Sequence, residues 1–419
     1  MQDHPLRQLL NDELHGRPGL PVNAPARITH LAFTLAADDP DPLAHVTLLC
    51  DAMGVKQPVP GAAHHGVEID RGILKYERHG EFYRISVTAE GNGTSAEAIS
   101  TLPLGWIDGL PGQRLVAIHT HILAKSAKPP SEAALTKLFG HDDIASSKVS
   151  AGKATVWTDF RIGGDGYTRL LVHDHGLSPM RLGRVSRRLH EIETYRMMAL
   201  LAFPLAKELQ GQLAAPEESL SRVIDGMADA RGPEEDAFLL SKLSAIARDV
   251  EHLSNRSSFR FAAARAYSAL VNKRVLELSE ERVLNHQRLG VFLERRFSPA
   301  MTTCNAVAER IAGLAARTER ASNLLRTRVD IALEGQNQLL LRSMEARAGQ
   351  QLRLQETVEG LSVVAISYYL IQIVEKLLAG LGENLGFDAK LAGWMSIPVI
   401  IFAVWWAIRR VRRRIQKTS

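Results

Sequence analysis

Residues Leu391 to Ile408, LAGWMSIPVIIFAVWWAI, run for eighteen residues without a charged side chain. A helix needs about 20 apolar residues to cross a bilayer core, so the stretch belongs either in lipid or at the centre of a domain. Its ends favour lipid. Trp394 lies near one end and Trp405 and Trp406 near the other, where amphipathic indole rings settle at the two interfaces. Arg409, Arg410, Arg412, Arg413, Arg414 and Lys417 follow at once. The expectation is a membrane-spanning helix over 391–408 and a basic tail over 409–419.

A second apolar stretch, 359–379, precedes it and is less uniform. At about 100° per residue, Glu359, Ser362, Tyr369, Gln372 and Lys376 fall within an arc of roughly 140°. Polar groups are costly against lipid, so this stripe should face the pore of an assembly or a neighbouring subunit. Between the two stretches lies GLGENLGFDAK, 380–390, with Glu383 and Asp388 against Lys390. Arg342, Arg347 and Arg353 stand before the first stretch and the arginine cluster after the second. Excess positive charge on both outer flanks places both termini in the cytoplasm and 380–390 outside.

Upstream, no proline occurs between Pro299 and Pro398. Ser298 and Pro299 suit a helix start, and good helix formers fill the chain from there to the first apolar stretch. A stalk helix is expected over 299–358. So long a rod needs neighbours, most simply copies of itself. Residues 179–298 read as a helical layer, with Pro204 interrupting one helix and Pro233 opening the next. Glu280, Glu281 and Arg282 read there as a solvated face.

Residues 1–178 differ. ARITHLAFTLA, ILKYERHG, EFYRISVTAE, QRLVAIHTHIL, ATVWTDFRIG and YTRLLVHDH are rich in β-branched and aromatic residues and read as strands. His79-Gly80 and Gly163-Gly164-Asp165-Gly166 make hairpin turns. DPLAHVTLLCDAMG and SEAALTKLFG read as helices. The fold class is an α+β cytoplasmic domain with a largely antiparallel sheet, then long antiparallel helices, then a C-terminal two-span transmembrane hairpin.

Little in the chain points to catalysis. Two cysteines, Cys50 and Cys304, exclude a disulfide framework and a four-cysteine zinc module. A net charge of +5, concentrated in the tail, gives no basic face for nucleic acid. The N-terminus lacks the apolar core of a signal peptide. No nucleophile elbow, zinc-protease helix or phosphate-binding loop is present. Thirteen of the fifteen histidines fall within the first 190 residues. His119 and His121 are two apart on one expected strand, His173 and His175 on another, and each pair shares a strand face on which imidazoles could hold a cation. An ordinary solvent-facing row has the same spacing. His64 and His65 are expected in an exposed loop.

Several long strings, LNDELHGRP, APARITHLAF, EIETYRMMALLAFPLAKEL, LRTRVDIALEGQNQLLLRSMEARAGQQLRLQ and TVEGLSVVAISYY, resemble a family of bacterial membrane-anchored proteins defined by a domain of unknown function. That resemblance implies an anchor in the cytoplasmic membrane and no activity. In layout the chain also resembles the CorA-type divalent cation transporters, which implies a pentamer with the first span lining a pore. That family's Gly-Met-Asn motif has its counterpart here in Gly382, Glu383 and Asn384, with glutamate in place of methionine. The expected function is a non-enzymatic, homo-oligomeric scaffold or sensor at the membrane. The alternative is a divalent cation channel with Gly382, Glu383 and Asn384 forming a ring at the outer mouth. No resident cofactor is expected, and the partners are the bilayer and further copies of the chain.

Overall fold

The computed structural model describes residues 3–8, 11, 19–70, 72–91, 97–385 and 389–415, with backbone alone at 379–385, 389–392 and 412–415. The strands are β1 (Ala26–Thr34), β2 (His64–Ile69), β3 (Gly72–Arg78), β4 (Phe82–Glu90), β5 (Gln113–Leu123), β6 (Ala145–Val149), β7 (Ala154–Ile162), β8 (Thr168–Asp174) and β9 (Glu281–Arg282). They form one mixed sheet in the order β2-β3-β4-β1-β5-β8-β7-β6-β9. The β5–β8 pair is parallel and the other strand pairs are antiparallel. The helices are α1 (Pro42–Ala52), α2 (Glu132–Phe139), α3 (Pro179–Leu200), α4 (Ala202–Gln212), α5 (Ala214–Asp229), α6 (Pro233–Leu278), α7 (Leu289–Arg296), α8 (Ser298–Leu385) and α9 (Ala389–Ile415).

The two faces of the sheet differ in chemistry, because successive side chains of a strand point to opposite sides. One face is apolar. Leu31, Phe33, Leu74, Tyr76, Tyr83, Ile85 and Val87 pack there with Leu43, Val46 and Leu49 of α1. The opposite face carries Lys75, Glu77, Arg84, Ser86, His30 and Thr120, and α3 lies over it. The start of α3 comes close to the chain at Leu20, since a Cβ on Gly183 would stand 1.9 Å from the Leu20 carbonyl oxygen. Only glycine admits that approach.

Proline marks the helix boundaries. Pro179 opens α3 and Pro233 opens α6. The helix carrying Pro204 breaks at Leu201, three residues earlier, where the missing N–H and the ring clash both act. Three segments depart from the sequence expectations. His64 begins β2, and His65 Nε2 sits 2.9 Å from the Lys56 carbonyl oxygen instead of in an open loop. The helical run expected after Pro233 is split by β9, which pairs with β6 at the far edge of the sheet. Glu280 is no solvated face: its carboxylate accepts from Gly290 N–H at 3.0 Å and from the Ser147 hydroxyl at 3.3 Å, capping α7.

The chain divides into two compact units. The first takes in the chain up to Asp229 together with Leu239–Ser322. It joins the sheet and α3, so Pro179 begins a helix of the same unit. The second comprises Ala230–Phe238 and Asn323–Ser419. Within it Arg328 reaches Asp236 at 3.3 Å and the Ala230 carbonyl at 3.0 Å. Helix α8 is unbroken across Gly335, Gly349 and Gly360 and runs on to Leu385. Gly382, Glu383 and Asn384 are therefore on its last turn and not in a loop. The segment joining α8 to α9, 386–388, lies outside the described residues.

Candidate functional site

The layer between α3 and the sheet holds a connected set of buried charges. Arg84, 2% exposed, donates from Nε to Glu77 at 2.7 Å, and its Nη2 lies 3.5 Å from Glu191 on α3. Lys75 reaches the other oxygen of Glu77 at 3.1 Å. Glu191 also receives Arg187 at 2.8 Å and Arg274 of α6 at 2.5 Å. Arg274 and Arg188 then meet on Glu277, at 2.9 and 3.1 Å. Burial by itself would raise the Glu77 pKa, but Arg84 and then Lys75 outweigh it and bring it down to about 2. The same opposition lowers Glu191, where Arg84 and Arg187 overcome burial.

Two histidines complete the layer. His30 of β1 and His190 of α3 stack with ring centroids 4.7 Å apart. His30 pairs with Ser86 at 2.8 Å and Thr194 at 3.1 Å, and His190 pairs with Thr120 at 2.8 Å. Burial, then the Arg84 charge, brings His190 down to about 3, and burial followed by His190 holds His30 well below the usual histidine value. A cavity of 50 Å³, room for a few waters, opens between these side chains. The Ser86–His30 pair resembles half of a nucleophile arrangement, but its second ring nitrogen meets a threonine and not a carboxylate that would orient a base. The layer can fix the docking of α3 on the sheet and can respond to protonation.

The histidines read as metal candidates separate into two places. His121 Nε2 lies 2.9 Å from Glu97, and His119 Nδ1 lies 3.5 Å from the same carboxylate and 3.0 Å from Thr29 Oγ1. The His119 ring stacks on Tyr167 at 3.9 Å. His173 and His175 meet edge to face at 4.6 Å, and His175 pairs with Thr155 at 2.8 Å. The strands β5 and β8 are neighbours, yet their register sets Leu123, not His121, opposite His173. Among the described residues, no group of three or more His, Cys, Asp or Glu could hold a metal ion. Glu97 stood outside every motif in the sequence, and only the fold brings it to the β5 histidines.

In the second unit, stretches of α8 and of Gly393–Val411 are long and apolar enough to cross a membrane, and almost none of either stretch is buried. Helix α9 turns one side towards α8: a Cβ on Gly393 would lie 3.8 Å from Glu375 Cγ. Ser367 and Val404 are 5% and 6% exposed, whereas Leu361, Val364, Tyr369 and Leu377 are each at least 60% exposed. At about 100° per residue, Tyr369, Gln372 and Lys376 fall on the side of α8 opposite Ser367. Ser362 and Glu359 extend that stripe and are half-buried. Arg409 and Arg410 lie over the rings of Trp405 and Trp406, at 4.7 and 4.8 Å. The side chains of Glu383 and Asn384 lie outside the described residues.

A mixed, mostly antiparallel sheet under a charged helix, carried on the same chain as two exposed apolar helices, defines an α+β protein with membrane-compatible C-terminal helices. The chain belongs to the family described as "Protein of unknown function (DUF3422)", which matches residues 2–415. None of the curated proteins matches it. Among solved structures it is similar to "structure of the full-length CmaX protein", at 14% identity, over 72% of this chain and 94% of that one, with a TM-score of 0.15. A score that low carries no argument about fold, and the CorA-like layout gains no support from it.

Proposed function

We propose that the protein is a homo-oligomeric scaffold or sensor anchored in the cytoplasmic membrane by α8 and α9, with its sheet-bearing unit in the cytoplasm. The observation that carries this reading is the polar stripe on α8. Tyr369, Gln372 and Lys376 are exposed on the side away from Ser367, in a stretch otherwise apolar enough for lipid. A lysine and a glutamine facing acyl chains are costly, and copies of α8 facing one another remove them from lipid. The stalk supports the same assembly, since Leu333, Leu340, Met344, Leu354 and Val358 are all at least 50% exposed. The Trp405–Trp406 and Arg409–Arg410 pairs suit a cytoplasmic interface.

The deciding experiment joins the mass of the purified protein in detergent with ion flux in liposomes. A multimer that passes no magnesium, cobalt, nickel or zinc supports the scaffold. Divalent flux abolished by Glu383→Gln replaces it with the channel reading. A protein that stays monomeric and soluble without detergent sinks both.

A further inference from the structure

After α6 the chain turns through β9 and a short loop into α7, and this turn lines a groove of 520 Å³. Arg282, Asn285, His286, Gln287, Arg288 and Arg295 form its polar lining, which includes no carboxylate. The arginines share this groove for structural reasons. Pairing of β9 with β6 fixes Arg282 opposite Ser147. Arg288 precedes the first turn of α7 and Arg295 follows seven residues later, so both fall on one face with Val291 between them. Asn285 holds a left-handed φ of 67°, which turns the loop between them.

Among the described residues none of Arg282, Arg288 and Arg295 is ion-paired. Nearby, Arg161 and Arg296 both close on Asp143, at 3.3 and 2.8 Å. Two carboxylates border the lining, and each already has a partner there, Glu280 feeling the Arg288 charge as well. Glu280 caps α7 and Glu132 meets His286 at 3.2 Å. The first helix N–H groups are also taken, Leu289 by the Ser147 hydroxyl at 3.1 Å and Gly290 by Glu280. What remains for a ligand is the lining of one concavity by three arginines that form no ion pair among the described residues.

We propose that this groove binds a phosphate-bearing anion, with Arg288 and Arg295 as its principal contacts. A guanidinium fork matches two phosphate oxygens at once, and several forks around one anion relieve their mutual repulsion. The volume lies within the range of about 300–1,000 Å³ usual for small-molecule sites. Free pyrophosphate and a phosphoinositide headgroup share this chemistry.

The test uses the full-length protein in detergent, titrated calorimetrically with inorganic pyrophosphate and, separately, with inositol trisphosphate. At least one should bind at one per chain, and the tighter of the two names the source. Arg288→Gln with Arg295→Gln should weaken that binding roughly tenfold or more, while Arg296→Gln, whose side chain is held by Asp143, leaves it within about twofold. Arg288→Lys with Arg295→Lys keeps the charge and loses the fork, and should also weaken binding. That pair serves where the glutamine pair melts early. Failure of both anions to bind, or full affinity in the lysine pair, overturns the site.

Discussion

His30 and His190 stack inside the charged layer with centroids 4.7 Å apart and ring planes 14° from parallel. The two rings come from β1 and α3, and each is held by hydroxyls instead of carboxylates: Ser86 and Thr194 on one, Thr120 on the other. Both are neutral near pH 7, because burial and the charges around them oppose a proton. The contact is therefore stable where the rings are uncharged and repulsive where they are not.

Stability should fall as pH drops from about 6.5. In the unfolded chain His190 takes up its proton near the ordinary histidine pKa, and in the fold only near 3. Its contribution is complete above the unfolded value and is lost as pH falls between the two, at up to about 1.4 kcal/mol per pH unit. His190→Gln should be less stable at pH 7.5 and should show a flatter melting temperature between pH 6.5 and pH 4. An unchanged slope would mean that His190 titrates normally.

The Arg84–Glu77 pair makes a second test. Removing one partner strands a buried charge, so Glu77→Leu should cost roughly 3–5 kcal/mol in denaturant unfolding. Adding Arg84→Met to that variant should recover part of the loss. Strictly additive losses would show that the pair is not coupled. Glu77 also contributes an acid-labile share of stability, present above its unfolded pKa and lost as pH falls towards about 2.

Replacing Ser362 and Tyr369 by leucine should weaken the oligomer, because those side chains lie on the stripe proposed to meet other subunits. Val364→Ala with Ile371→Ala, on the side away from the stripe, should leave it intact. Native mass spectrometry of both variants reads the difference, and equal tolerance would place the stripe against lipid.

Cysteine probes at the N-terminus and after Ser419 should both be protected from an external reagent in intact cells. A probe in the segment joining Leu385 to Ala389 should react. Labelling of one terminus alone would leave one span and not two.

The elements themselves were largely legible in the sequence. Strands such as ILKYERHG and QRLVAIHTHIL, the hairpin at Gly163–Gly166, the helix opened by Pro233 and the two apolar stretches all announce themselves through period, turn residues and length. Local rules suffice for them, since backbone propensity and proline act within a few residues. Gly335 breaks nothing in α8, because a helix interior tolerates one glycine at about 1 kcal/mol.

The partners of each residue were decided only by packing. Lys75, Glu77 and Arg84 alternate along β3 and β4 as a solvated row would, and become a buried layer because α3 brings Glu191 and His190 over them. Glu97 reaches His121 from 24 residues away. β9, two residues long, was invisible because its pairing with β6 comes from a chain more than 130 residues distant. Burial and ion pairing depend on what lies across a contact, and a strand's own alternation is the same whether water or a charged helix covers it.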